Sequence, residues 1–132
     1  MLELRQVEAA YGSSRVLFGV DLAIAEGEVV TLLGRNGMGK TTTVNAIMGL
    51  VALTQGDISF SGARISGVPP YKVARSGLAL VPEGRQVFPN LTVEENLVAT
   101  SANHGRSAAP WTLEAVYGLF RRAPLGHGAE MA

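Results

Sequence analysis

The run Gly34-Arg35-Asn36-Gly37-Met38-Gly39-Lys40-Thr41 fits the pattern G-x-x-x-x-G-K-[ST], and its setting restricts the fold. An apolar segment, Val29-Val30-Thr31-Leu32-Leu33, precedes it and reads as a buried strand; Thr41 to Met48 follows as a helix. Glycines let consecutive amides curl around an anion, and the helix aims the positive end of its dipole at the same point. In that geometry Lys40 reaches the β- and γ-phosphates of a nucleotide, and the Thr41 hydroxyl is placed to bind Mg²⁺. An ordinary glycine-rich turn is the competing reading. By residue frequency alone the pattern arises in roughly one chain of this length in a few hundred. The strand before and the helix after lower that figure.

With 132 residues, 47% of them hydrophobic and 17% charged, the chain has one domain's worth of length or less and the composition of a folded protein. A formal net charge of zero gives no bulk attraction to nucleic acid or anionic lipid. Of 11 basic side chains only Lys40 and Lys72 are lysines, and one of them closes the glycine-rich loop. The absence of cysteine removes disulfides, thiolate catalysis and zinc–thiolate sites together. Glu3, Arg5 and Glu8 interrupt any apolar signal-peptide core, and no apolar run approaches the ~18 residues of a membrane span. Direct membrane insertion is therefore not expected, and any membrane role comes through a partner.

Along the chain, Leu2 to Ala9 and Val16 to Ile24 read as strands joined by a turn at Tyr11-Gly12-Ser13-Ser14. Gly49 stops the helix that opens at Thr41. Asp57 to Phe60, followed by Ser61-Gly62, reads as a short hairpin strand and turn. Pro69-Pro70 opens a short helix, Tyr71 to Ser76, and Leu78 to Val81 reads as a second buried parallel strand. Thr92-Val93-Glu94-Glu95 has the form of a capping box for a helix to about Ala102. Asn103 to Pro110 is expected as a loop and Thr112 to Phe120 as a further helix. This order predicts an α/β phosphate-loop core with an N-terminal antiparallel β subdomain. Its ligand is expected beyond the carboxyl ends of the parallel strands, where Gly34–Thr42 and Pro82–Pro89 both lie.

These pieces resemble the ATP-binding subunits of ABC transporters, and within them the branched-chain amino acid import subfamily. The matching residues are Tyr11-Gly12 before Val16-Leu17, Leu32 through Thr42, Gly49-Leu50, and Val81-Pro82-Glu83-Gly84-Arg85-Gln86-Val87-Phe88-Pro89-Asn90-Leu91-Thr92-Val93-Glu94-Glu95-Asn96-Leu97. The phosphate loop is common to many NTPases, whereas the Val81–Leu97 stretch is much more specific. The resemblance implies a P-loop NTPase fold of the ABC nucleotide-binding type, truncated before the signature motif, with residues 1–132 a partial domain. It implies ATP and Mg²⁺ as cofactors, held by Gly34, Arg35, Asn36, Gly37, Met38, Gly39, Lys40, Thr41 and Thr42. Tyr11 would stack on adenine, with Val16 packed near the same base. Glu83 stands where most of the family has a glutamine that touches Mg²⁺ and the attacking water. A carboxylate there remains a hard oxygen ligand, so Thr41 and Glu83 are the candidate metal contacts. Phe88 and Leu91 would face transmembrane permease subunits. A second ATP-binding subunit would complete a dimer, and a periplasmic solute-binding protein would act indirectly. The implied location is cytoplasmic, peripheral on the inner face of the cell membrane.

Hydrolysis in this family also uses a hydrophobic strand ending in Asp-Glu, the Asp holding Mg²⁺ and the Glu polarising water. The chain has two aspartates, Asp21 and Asp57, and neither precedes Glu; no Leu-Ser-Gly-Gly occurs. No catalytic residue is therefore assigned, and the expectation is ATP binding with poor hydrolysis by this chain alone. Gly126 to Met131 resembles the lead-in to a signature motif, and His104 and His127 read as solvent-exposed loop residues. Without flanking strands, Val29–Leu33 and Leu78–Val81 would expose unpaired edges and apolar faces. Three alternatives stay open: a urea-type ABC importer subunit, another phosphate-loop kinase or GTPase, and a non-catalytic remnant. Guanine selection through Asn-Lys-x-Asp is excluded, because Val73-Ala74-Arg75 follows Lys72.

Overall fold

Alternating apolar residues at Leu2, Leu4, Val7 and Ala9 build the first strand of the sheet. A computed structural model of the chain describes residues 1–84, 86–101 and 108–120. Strands β1 (Leu2–Tyr11) and β2 (Ser14–Ile24) form the expected antiparallel hairpin, turning at Gly12 and Ser13. Strand β3 (Leu53–Phe60) pairs antiparallel with the other edge of β1, and β4 (Ala63–Arg64) pairs with β3, giving the order β2-β1-β3-β4. The expected strand at Asp57–Phe60 is thus the second half of a longer one.

The alternation in β1 slips once. Two residues, Arg5 and Gln6, separate buried Leu4 from buried Val7, and pairing with both neighbours is interrupted there. Gln6 adopts a positive φ of 47°, a conformation rarely held without support. Asp21 supplies that support, accepting from the Gln6 backbone N–H at 2.7 Å and from its side-chain amide. This bulge keeps both halves of the strand facing one core.

Helix α1 (Lys40–Ile47) contributes Ala46 to that core, joined by Met48 just beyond it and by Ile58, Ile65 and Val73. Gly49, with φ 71°, ends α1 in the doubly bonded turn that glycine favours: Leu50 N–H donates to Asn45 and Gly49 N–H to Ala46. Helix α2 (Pro70–Arg75) begins with proline in its first turn and buries Val73 fully.

Two strand expectations fail. Val29–Leu33 is neither a strand nor buried: Val29 is 92% and Leu33 88% exposed, and no described segment pairs with the run. Leu78–Val81 forms no strand either; Leu78 and Leu80 pack on the core edge while Val81 is 93% exposed. A strand exists only through its ladder partners, and an apolar run without a neighbour has none of the hydrogen bonds that define one. The expectation of exposed apolar faces holds at Val29–Leu33 and at Val81, and does not hold at Leu78 and Leu80, which the core partly covers.

The chain divides into two compact units, Met1–Leu80 and Val81–Ala132. In the second, helix α3 (Val93–Thr100) starts with the predicted capping box: Thr92 Oγ1 accepts from Glu95 N–H at 3.2 Å, and Glu95 Oε2 accepts from Thr92 N–H at 2.8 Å. Helix α4 is Leu113–Leu119. The expected end of α3 at Ala102, most of the loop from Asn103, His104, His127 and the Gly126–Met131 lead-in lie outside the described residues.

Candidate functional site

The glycine-rich loop is shaped by its own backbone. Gly37 and Gly39 both take φ 84°, a left-handed conformation that glycine adopts without steric cost. Met38 N–H closes a turn onto the Arg35 carbonyl at 3.3 Å. Gly39 is the residue from which α1 departs, and no side chain caps the helix there. The leading amides of α1 are therefore not taken by a capping group, as a helix end that receives an anion requires.

Lys40 folds back over the loop. Its Nζ donates to the carbonyls of Gly34 at 2.7 Å and Arg35 at 2.9 Å. The ammonium is held by the loop's own dipoles, at the mouth of the turn whose glycines leave the backbone open. Three threonines follow and take different positions. Thr41 is exposed, Thr42 is packed inward at 8% exposure, and Thr43 donates its hydroxyl to the Gly39 carbonyl at 2.9 Å. Only Thr41 thus presents a fully accessible hydroxyl, the one expected to meet Mg²⁺. Arg35, Asn36 and Met38 are exposed around the loop rim.

Strand β2 brings a second candidate to this loop. Ala9 pairs with Leu17 and Ala10 with Arg15, so Val16 is the extra residue of a bulge. A methyl group added to Gly39 would come 2.7 Å from Leu17 Cδ2 and 3.3 Å from the Val16 carbonyl oxygen. Val16 and the loop are therefore adjacent. Tyr11 sits at the far end of β1, opposite Ser14 and 52% exposed. Glu83 is exposed in the second unit. Among the described residues no group of three or more His, Cys, Asp or Glu gathers to hold a metal. Mg²⁺ here would lean on nucleotide phosphates and water, with Thr41 as the protein ligand, as that ion commonly does.

Two residues that sequence reasoning passed over carry much of the local order. Leu17 is the apolar surface against which Gly39 packs. Asn96, 7% exposed, accepts from Phe88 N–H at 2.8 Å and offers its amide to the carbonyls of Phe88, Leu91 and Thr92 at 3.0–3.1 Å. Both stood in the stretches that carry the family resemblance, Val16-Leu17 and Val81–Leu97, which gave neither residue a role.

Residues 17–129 match the family model described as ABC transporter. The chain belongs to the ABC transporter family. Two relatives of this ABC transporter chain are branched-chain amino acid transport ATP-binding proteins. The high-affinity protein BraG of Pseudomonas aeruginosa is 41% identical and the probable LivF of Archaeoglobus fulgidus 37% identical, each over 97 residues and 74% of this chain. The ribose import ATP-binding protein RbsA 2 of Rhizobium meliloti is 35% identical over 108 residues, 82% of this chain. The chain spans 42%, 41% and 21% of these three relatives respectively. A solved structure of an ATP-binding subunit of an ABC transporter superposes with a TM-score of 0.70 at 34% identity, over 82% of this chain and 44% of that one. This ABC transporter chain thus carries the family's fold, including its N-terminal antiparallel sheet.

Proposed function

We propose that this chain is the ATP-binding component of an ABC importer, taking up branched-chain amino acids and coupling ATP binding to transport through permease subunits. One observation carries the nucleotide reading: Lys40 Nζ rests on the Gly34 and Arg35 carbonyls at the mouth of a loop opened by Gly37 and Gly39. Phosphate oxygens arriving there exchange those carbonyls for charge-assisted bonds to the same ammonium, while the uncapped start of α1 receives the remaining charge. Tyr11 and Val16 would take the adenine, and Thr41 would be the protein ligand of Mg²⁺. The ion, when bound, screens the charge of the terminal phosphates.

The amino acid assignment leans on the names of BraG and LivF and on Glu83, while RbsA 2 supports a sugar importer as the second reading. In the proposed assembly the chain lies on the cytoplasmic face of the membrane, and a second ATP-binding subunit faces it. No described helix is long and apolar enough to cross a membrane, which suits attachment through a permease. Within these 132 residues there is no Asp-Glu pair or Leu-Ser-Gly-Gly, so the chain alone is expected to bind Mg-ATP without turning it over. Isothermal titration with Mg-ATP, beside Lys40→Ala, tests binding. Phosphate release that vanishes in Lys40→Ala would overturn the no-turnover half, and a flat titration of folded protein would overturn the whole.

A further inference from the structure

Gly39 belongs to the loop, yet its nearest neighbours outside it are on β2. Leu17 is 2% exposed and its Cδ2 fills the space where a Gly39 side chain would stand; the Val16 carbonyl bounds the same space. Val16 is the extra residue of the bulge between the Ala9–Leu17 and Ala10–Arg15 pairs, and its carbonyl oxygen and Cγ1 lie 3.3 and 3.9 Å from a Cβ placed on Gly39. Two residues back along β2 lies Ser14, the pairing partner of Tyr11, at a spacing of about 7 Å. The phosphate loop therefore rests on the same hairpin that presents the aromatic ring, and the contact is a single apolar step.

The loop does not need this contact to keep its own shape. Lys40 ties it to Gly34 and Arg35, and Thr43 ties the Gly39 carbonyl to α1 through both its N–H, at 2.8 Å, and its hydroxyl. What the Leu17 contact fixes is where the closed loop stands relative to Tyr11. We infer that Leu17 is a positioning residue that sets the separation between a base subsite at Tyr11 and a phosphate subsite at Gly34–Thr41. It selects ligands that carry an aromatic base at one nucleoside's distance from a triphosphate. This rests on the nucleotide reading above, and the two fail differently.

The test measures Mg-ATP and inorganic tripolyphosphate, which has the phosphates and no base, on the full chain. Leu17→Val removes both Cδ atoms and leaves an apolar residue, now β-branched and suited to a strand; Leu17→Met restores the reach. In the wild type, Tyr11→Ala is expected to weaken ATP on the order of tenfold, from lost base stacking, and to leave tripolyphosphate unchanged. In Leu17→Val, ATP weakens by about the same factor and tripolyphosphate stays within about twofold, because the loop itself is intact. Adding Tyr11→Ala to Leu17→Val then costs nothing further, and Leu17→Met returns ATP affinity to near the wild-type value. Equal losses for ATP and tripolyphosphate in Leu17→Val would overturn the inference, since Leu17 would then be shaping the loop. So would a full tenfold Tyr11 effect in that background, or an unchanged ATP affinity. Tripolyphosphate and ATP both failing to bind the wild type would instead refute the nucleotide reading.

Discussion

Lys40 Nζ lies 2.7 Å from the carbonyl oxygen of Gly34, six residues earlier in the chain. That bond closes the loop on itself and keeps the cation at the place where a phosphate is expected. Replacing it with Ala removes a charge-assisted partner, worth about 1.5–3 kcal/mol. Mg-ATP affinity should fall roughly 10- to 100-fold by titration. The two carbonyls are exposed and turn to water, so the thermal midpoint of Lys40→Ala should stay within about 2 °C of the parent.

Gly56 is the second prediction. Its φ is 85°, and a Cβ there would meet the Arg5 carbonyl oxygen at 2.5 Å and press harder still on that of Gln6. Gly56→Ala should cost on the order of 3 kcal/mol or more, adding backbone contact to conformational strain. Gly12, with φ 59° and nothing within 4 Å, should lose only about 1 kcal/mol as Ala. Urea unfolding of both variants separates clash from conformation.

Asn96 should behave as a clasp. Truncation to Ala leaves the Phe88 N–H and the Leu91 carbonyl without this partner, while the Phe88 and Thr92 carbonyls keep the backbone N–H groups of Leu91 and Asn96; the cost should be about 1–3 kcal/mol. Amide exchange at Phe88 should accelerate about 10-fold or more, while residues of the β1–β2 hairpin keep wild-type protection.

Glu95 sets an acid limit on α3. Its carboxyl lies below the ordinary 4.5, first because the Thr92 backbone N–H donates to it and then because the Thr92 hydroxyl does. A carboxyl lowered by folding contributes stability that is complete above its unfolded value and is lost as pH falls through the folded one. The capping contribution should thus be constant above about pH 4.5 and decline below it. Glu95→Gln should flatten that decline, and an NMR titration of Glu95 in Thr92→Ala should move its midpoint upward. A midpoint unmoved by Thr92→Ala would show that the backbone N–H at position 92 holds the carboxylate without help from the hydroxyl.

The candidate loop was legible in the sequence because its pattern prescribes backbone torsions directly, and Gly37 and Gly39 take them. The hairpin of β1 and β2 was legible because Gly12-Ser13 and the flanking alternation agree. The bulge at Gln6 was hidden, since it depends on Asp21, fifteen residues away. Val29–Leu33 misled for the opposite reason. Composition reports what a segment would bury, and says nothing about whether a neighbour is present to pair with it. Leu17 was overlooked because only the folded chain reveals that Gly39 rests on it.

The bare stretch from Val29 to Leu33 governs how the protein behaves in the test tube. Five uncharged residues stand in solvent on a molecule whose formal charges sum to zero, so little repulsion keeps copies apart. Such a segment is a template for intermolecular cross-β stacking. Aggregation should therefore rise steeply with concentration, and a single Lys at Val29 or Leu33 should suppress it by acting as a gatekeeper.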